Sequence, residues 1–183
     1  MTESEDLDFI FLIKVSSYRE VHTGLPDDGG YAQWFATLLG YVETPDDAVE
    51  LGTATMVLFR NARWNPNFWD RMDEENADME ILASAVSGGS AADEELFERF
   101  DSDGGDILFF DRVSIASEYR GHDYSHVLVN AAAQALVPES VIALQPMPQG
   151  RQLPEDIERL QNHWVKMGFE PYRAGVYVRA AVQ

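Results

Sequence analysis

The chain of 183 residues contains no cysteine. Disulfide frameworks, thiolate metal sites and cysteine nucleophiles are therefore all excluded. Lysine is almost absent too, with only Lys14 and Lys166 against 11 arginines. The longest early apolar run covers residues 9–13, far short of the roughly 20 residues a membrane-spanning helix requires. Residues 1–8 are polar and acidic, the opposite of a secretion signal's basic start and unlike a mitochondrial transit segment. A cytoplasmic location is the expectation. No repeat, long linker or low-complexity tract divides the sequence, and 45% of it is hydrophobic. One domain over residues 1–183 with a proper core is expected.

What the chain does have is negative charge. Its formal net charge is -19, distributed unevenly. Residues 1–106 carry 24 acids against 6 bases, whereas residues 107–183 carry 8 against 7. Such a surface repels nucleic acid and anionic membranes, so neither is an expected partner. It suits solubility, and it also suits attraction of a cationic small molecule or a basic protein.

Local patterning gives the elements. Residues 6–15 read as a first strand, 24–30 as turn chemistry and 31–39 as a short amphipathic helix. Residues 48–60 carry β signal, as two short strands or one bent at Gly52. A helix is expected over 65–86, with Phe68, Met72, Met79, Leu82 and Ala83 toward the core, and it is broken by the glycines at 88 and 89. A second short helix over 92–100 leads to an acidic turn at 101–106. Residues 107–115 form a strand. Residues 124–136 form a helix with Val127, Leu128, Ala131 and Ala135 as its buried stripe. A compact strand at 140–144 and a proline-rich loop at 146–148 follow. A helix from 154 to 167 begins on Pro154 and ends before Gly168. Residues 169–182 supply the last strand or hairpin. This succession argues for an α/β (α+β) sheet covered by helices.

The segment from Val113 to Ser125 carries the chemistry. It runs strand, tight turn, helix start, which aims several backbone N–H groups at one point where the helix dipole adds positive potential. Phosphate can bind there without a lysine.

With these residues in place, the part from Ile107 to Arg179 resembles the acyl-CoA-binding core of the GNAT acetyltransferase superfamily. Val113-x-Ile115 matches the family's apolar pair. Glu118-Tyr119-Arg120-Gly121-His122-Asp123 matches its Gln/Arg-x-x-Gly-x-Gly/Ala turn. The helix from Tyr124, the strand from Ser140 and the pair Gly168-Phe169 follow in the family's order. The resemblance implies a central mixed, mostly antiparallel sheet with a splayed strand pair and helices on both faces. It implies acetyl-CoA or another acyl-CoA as co-substrate. Main-chain groups of Val113 and Ile115 would hold the pantetheine arm, and the amides of Arg120, Gly121, His122, Asp123, Tyr124 and Ser125 would hold the diphosphate. The acidic part, 1–106, would form the acceptor side and favour a cationic amine, small or on a basic protein. A homodimer is possible, since family members often pair.

The turn departs from the family at Asp123, which stands where a second glycine is usual. Aspartate tolerates the left-handed conformation, and at this position its carboxylate is also a candidate N-cap for the helix. Ser125 replaces a small Gly or Ala. The family often has a general-acid tyrosine four residues before Gly-Phe, but Trp164 is there and cannot titrate. His163, its neighbour, is expected to face elsewhere, leaving Tyr172 or Tyr177 as substitutes. Asp111 is the candidate general base, placed by period-two alternation on the face of Val113 and Ile115.

Other candidates are weaker. His122 and His126 have i, i+4 spacing with Asp123 between them, but no third ligand or His-Glu-x-x-His pattern accompanies them, so no metal is expected. His22 has no evident partner, and Ser114 and Ser117 lack a nucleophile motif. Trp64, Phe68 and Trp69 read as core or interface packing, with the wall of an acceptor cleft as the minor alternative. Two other functions fit the same sequence: a cofactor-free GNAT-like fold used for binding or regulation, and an acidic protein mimicking nucleic-acid charge toward a basic partner.

Overall fold

The structure is a computed structural model that describes residues 9–18, 31–73, 77–87, 92–100, 102, 104–148 and 153–181. Seven strands make one sheet: β1 (Ile10–Tyr18), β2 (Tyr31–Tyr41), β3 (Val49–Phe59), β4 (Ile107–Ile115), β5 (Val141–Leu144), β6 (Glu170–Pro171) and β7 (Tyr177–Ala180). Their order is β1-β2-β3-β4-β5-β7-β6. Every pairing is antiparallel except β4 with β5. The mixed, mostly antiparallel sheet is therefore the one that the resemblance implies.

The expected helix over 31–39 is instead the strand β2. Ala36, Leu38 and Gly40 are buried at alternate positions while their neighbours are not, which is the two-residue repeat of a strand. Its Tyr, Trp, Phe and Thr suit a pleated surface, and both its edges are taken, by β1 and β3. Tertiary pairing decides between the two periods here. The expected turn at 24–30 and the glycine break at 88 and 89 lie outside the described residues.

Helices cover both faces. α1 (Phe68–Asp73), α2 (Ala77–Val86) and α3 (Glu94–Arg99) pack on one face, where Phe59, Phe68, Met72, Met79, Leu82 and Phe109 form a core. Of the helix expected over 65–86, residues 68–73 and 77–86 are helical, and all five of its named core residues are buried. α4 (Tyr124–Leu136) and α5 (Pro154–Lys166) serve the opposite face, where Leu128, Val129, Met56, Phe110, Ile142 and Trp164 form a second core.

On α4 the buried stripe is Ser125, Leu128, Val129, Ala132 and Ala133, with Ala135 exposed. It is rotated from the expected one because it starts on a serine, which apolar patterning does not register. The Ser125 hydroxyl is 2.8 Å from His163 Nε2, and this partner makes its burial tolerable.

α5 ends in a left-handed cap. The Gly168 N–H donates to Val165 O at 2.9 Å and the Phe169 N–H to Trp164 O at 3.1 Å, with Gly168 at φ 84°. The Phe169 and Trp164 rings meet edge to face, their centroids 5.5 Å apart. This hydrogen-bond pair and its apolar contact are the physical content of the Gly-Phe motif.

Candidate functional site

The parallel pair sets up the site by parting. Ile107 to Phe110 of β4 pair with Val141 to Leu144 of β5, and past Phe110 the remaining half of β4 has no paired strand on that edge among the described residues. Two features shape the β3–β4 pair here. First, Thr55 and Met56 of β3 face Arg112 and Phe110, so Asp111 is an extra residue, a β-bulge that bends the strand. Second, Gly52 of β3 lies opposite Ile115; a Cβ there would stand 2.5 Å from Ile115 Cδ1.

The bulge corrects the expected alternation. Val113 and Ile115 pack toward the α4 core. Arg112 is the cross-strand partner of Thr55, which shares its face with Val57 and Phe59 on the α1–α3 side. Asp111 accepts a hydrogen bond from Thr55 Oγ1 at 3.0 Å, so it too lies on that side. Asp111 and Arg112 therefore share a face opposite Val113 and Ile115.

Between the parted strands runs a cavity of about 860 Å³, within the range of small-molecule sites. β4 contributes residues 110–115 to its wall, and β5 and the following loop contribute Leu144, Gln145, Met147 and Pro148. From α2 come Met79, Ile81 and Leu82; from α5 come Asp156, Arg159, Leu160, His163 and Trp164. The lining thus comes from helices on both faces of the sheet. Among the described residues of the acidic part, those reaching the cavity are Met79, Ile81 and Leu82, all apolar.

At the α4 end, a turn leads from β4 into the helix. Gly121 has φ 92°, and Asp123 sits in the left-handed region at φ 56°, ψ 20°. Asp123 thus fills the conformational role of a glycine. Its side chain makes no capping hydrogen bond, against the expectation of a carboxylate N-cap: from a left-handed backbone the side chain does not reach the amides it would cap. His126 N–H donates to the Asp123 carbonyl at 2.8 Å, whereas the amides of Gly121, His122, Asp123 and Ser125 have no partner among the described residues. Donors left open at a helix start form an anion-binding arrangement. Arg120 adds charge. Its Nε donates to Ile115 O at 3.0 Å, while its outer nitrogens have no partner among the described residues.

The predicted site residues divide accordingly. Asp111, Val113, Ile115 and Arg120 line the cavity. Gly121, His122 and Asp123 are exposed at its end. Ser125 is buried there against His163. The Tyr124 ring turns away, packing edge to face on Phe9 and Phe11 and stacking on His122 at 5.5 Å.

Of the acid candidates, Tyr177 is buried in the core and Tyr172 bonds Asp93 at 3.5 Å; neither lines the cavity. His163 does, contrary to expectation, and burial is the main cause holding its pKa below 6.5. Its place was legible only through helical phase, since Leu160, His163 and Trp164 form an i, i+3, i+4 set. Trp69 is half-buried against the α1–α3 core and Phe68 lies within it, while exposed Trp64 covers Gly105, where a Cβ would come within 2.3 Å of its ring. None of these aromatics lines the cavity. Among the described residues no cluster of three metal-ligating side chains occurs, and no helix is long and apolar enough to cross a membrane.

No family model matches the chain, and no curated protein sequence does. Solved structures give distant likenesses. Arabidopsis thaliana NAA60 in complex with acetyl-CoA is 11% identical at a TM-score of 0.42, over 81% of this chain and 76% of that one. A mutant of KacT is 9% identical at 0.41, over 82% and 71%. A KacTA-DNA complex is 10% identical at 0.43, over 93% and 94%.

Proposed function

We propose that this chain is an acyl-CoA-dependent N-acetyltransferase, one domain in which residues 107–183 hold acetyl-CoA and residues 1–106 complete the acceptor side. The observation that carries the reading is a set of unpartnered amides at the start of α4, directly beside a cavity between two parted strands. The diphosphate of the co-substrate fits the amides of Gly121, His122, Asp123 and Ser125, with the outer nitrogens of Arg120 beside them. The pantetheine arm fits along the open edge of β4 at Val113 and Ile115, where main-chain groups lack a strand on that side. Arg120 Nε already donates to Ile115 O, and the carbonyl's second lone pair is the one left to the arm. The thioester then lies between the strands, reached by an amine from the α2 side, where Asp111 stands to receive a proton.

Isothermal titration with acetyl-CoA tests this. Saturable binding is expected, displaced by free CoA, and Asp123→Gly tightens it by about tenfold because a carboxylate leaves the neighbourhood of the phosphates. Absence of heat at millimolar acetyl-CoA in both proteins ends the reading.

A further inference from the structure

The acceptor end of the cavity has a chemistry of its own. The bulge at Asp111 brings two consecutive residues of opposite charge onto one face of the sheet, where strict alternation would have parted them. They do not neutralise each other. Asp111 is held by the Thr55 hydroxyl, and the Arg112 guanidinium has neither an ion pair nor a hydrogen bond among the described residues. Both are exposed and both line the cavity. Facing them on the same side is the apolar wall of Met79, Ile81 and Leu82 from α2.

We infer that the acceptor is a free α-amino acid with an apolar side chain. Its ammonium lies at Asp111, its carboxylate on the open fork of Arg112, and its side chain on the α2 wall. A carboxylate and an ammonium one carbon apart match an arginine and an aspartate one residue apart. A polyamine has no group for Arg112 and meets its positive charge; a plain alkylamine leaves the guanidinium unanswered. The inference rests on the acyl-transfer reading and specifies its substrate. In the reaction the amino nitrogen bonds to the acetyl carbonyl carbon as the carbon–sulfur bond breaks. Of the two protons the ammonium gives up, one passes through Asp111 to solvent and the other ends on the departing thiolate. The products are an N-acetyl amino acid and CoA.

The test measures thiol release from acetyl-CoA with four acceptors: L-leucine, leucinamide, 3-methylbutylamine and spermidine. L-leucine is expected to exceed each of the others by about tenfold or more in kcat/KM, the discrimination typical of a charged group left unanswered. Arg112→Gln reduces the ratio of leucine to leucinamide below about twofold, chiefly through the KM for leucine. Arg112→Lys, which keeps the charge and loses the fork, falls between. Leucinamide stands in for a peptide amino terminus, so its equality with leucine overturns the inference in favour of peptide acceptors. Preference for spermidine, or an unchanged ratio in Arg112→Gln, overturns it as well. In those cases calorimetric binding of acetyl-CoA leaves acyl transfer standing; loss of that binding removes both.

Discussion

His163 occupies the junction of cavity and helix start, its Nε2 2.8 Å from the Ser125 hydroxyl. Burial lowers its pKa from 6.5; Asp123 works in the opposite direction, while His126 and Lys166 add to the lowering. The sign of the stability effect follows. Above 6.5 the imidazole is neutral in folded and unfolded chains alike, and the folded state keeps its full margin. As pH falls through 6.5 toward the lower folded value, the unfolded chain takes a proton that the folded one refuses, and stability is lost. The melting midpoint is therefore expected to drop between about pH 7.5 and 5.5. His163→Gln, which can still bond Ser125 without titrating, makes that drop smaller. An equal drop in both proteins would assign it to other groups. The residues at this scale were unevenly legible. Val113, Ile115 and Gly121 follow from the motif, but the pairing of Ser125 with His163 joins positions 38 apart, and no local pattern announces it. Asp111 was expected on the face of Val113 and Ile115 and lies on the other, because one inserted residue shifts the phase of everything around it.

Two glycines separate backbone conformation from crowding among the elements. At Gly168 a Cβ meets nothing within 4 Å, but φ is 84°. Gly168→Ala thus costs only left-handed strain, about 1–2 kcal/mol. At Gly52 no positive φ is involved, yet a Cβ would stand 2.5 Å from Ile115 Cδ1 and 2.6 Å from Ser114 O. Gly52→Ala is expected to cost about 1–3 kcal/mol by pushing β3 from β4. It is also expected to weaken acetyl-CoA binding, which Gly168→Ala leaves alone. Urea melts and titrations on both variants check the contrast. The bounds of the strand β4 and the helix α4 could be read from sequence to the residue, though the buried face of α4 could not. β2 could not, because in an 11-residue segment an apolar pattern fits either period until its partners are known. The pairing of β1 with β2 and of β2 with β3 is long-range information that no window along the chain contains.

Charge is the property of the whole molecule. At -19 the chain repels itself in the compact state. Salt screens this repulsion, and it also screens ion pairs such as Arg99 with Glu170 and Arg173 with Asp93 and Glu95, which tie α3 to the β6–β7 hairpin. Each exposed pair contributes little, because water screens it and two long side chains must be held in one geometry, whereas the unpaired excess acts across the entire surface. The repulsion should win. The melting midpoint is expected to rise between about 50 mM and 1 M sodium chloride, where the Debye length shortens to about 3 Å; a fall would make the ion pairs the larger contribution. The composition announced this charge but not its placement: the described acids of residues 1–106 stay out of the cavity, whose wall from α2 is apolar. Were acyl transfer the reaction, a cavity walled by helices from both faces of the sheet would let the two reactants be seated from opposite sides of β4.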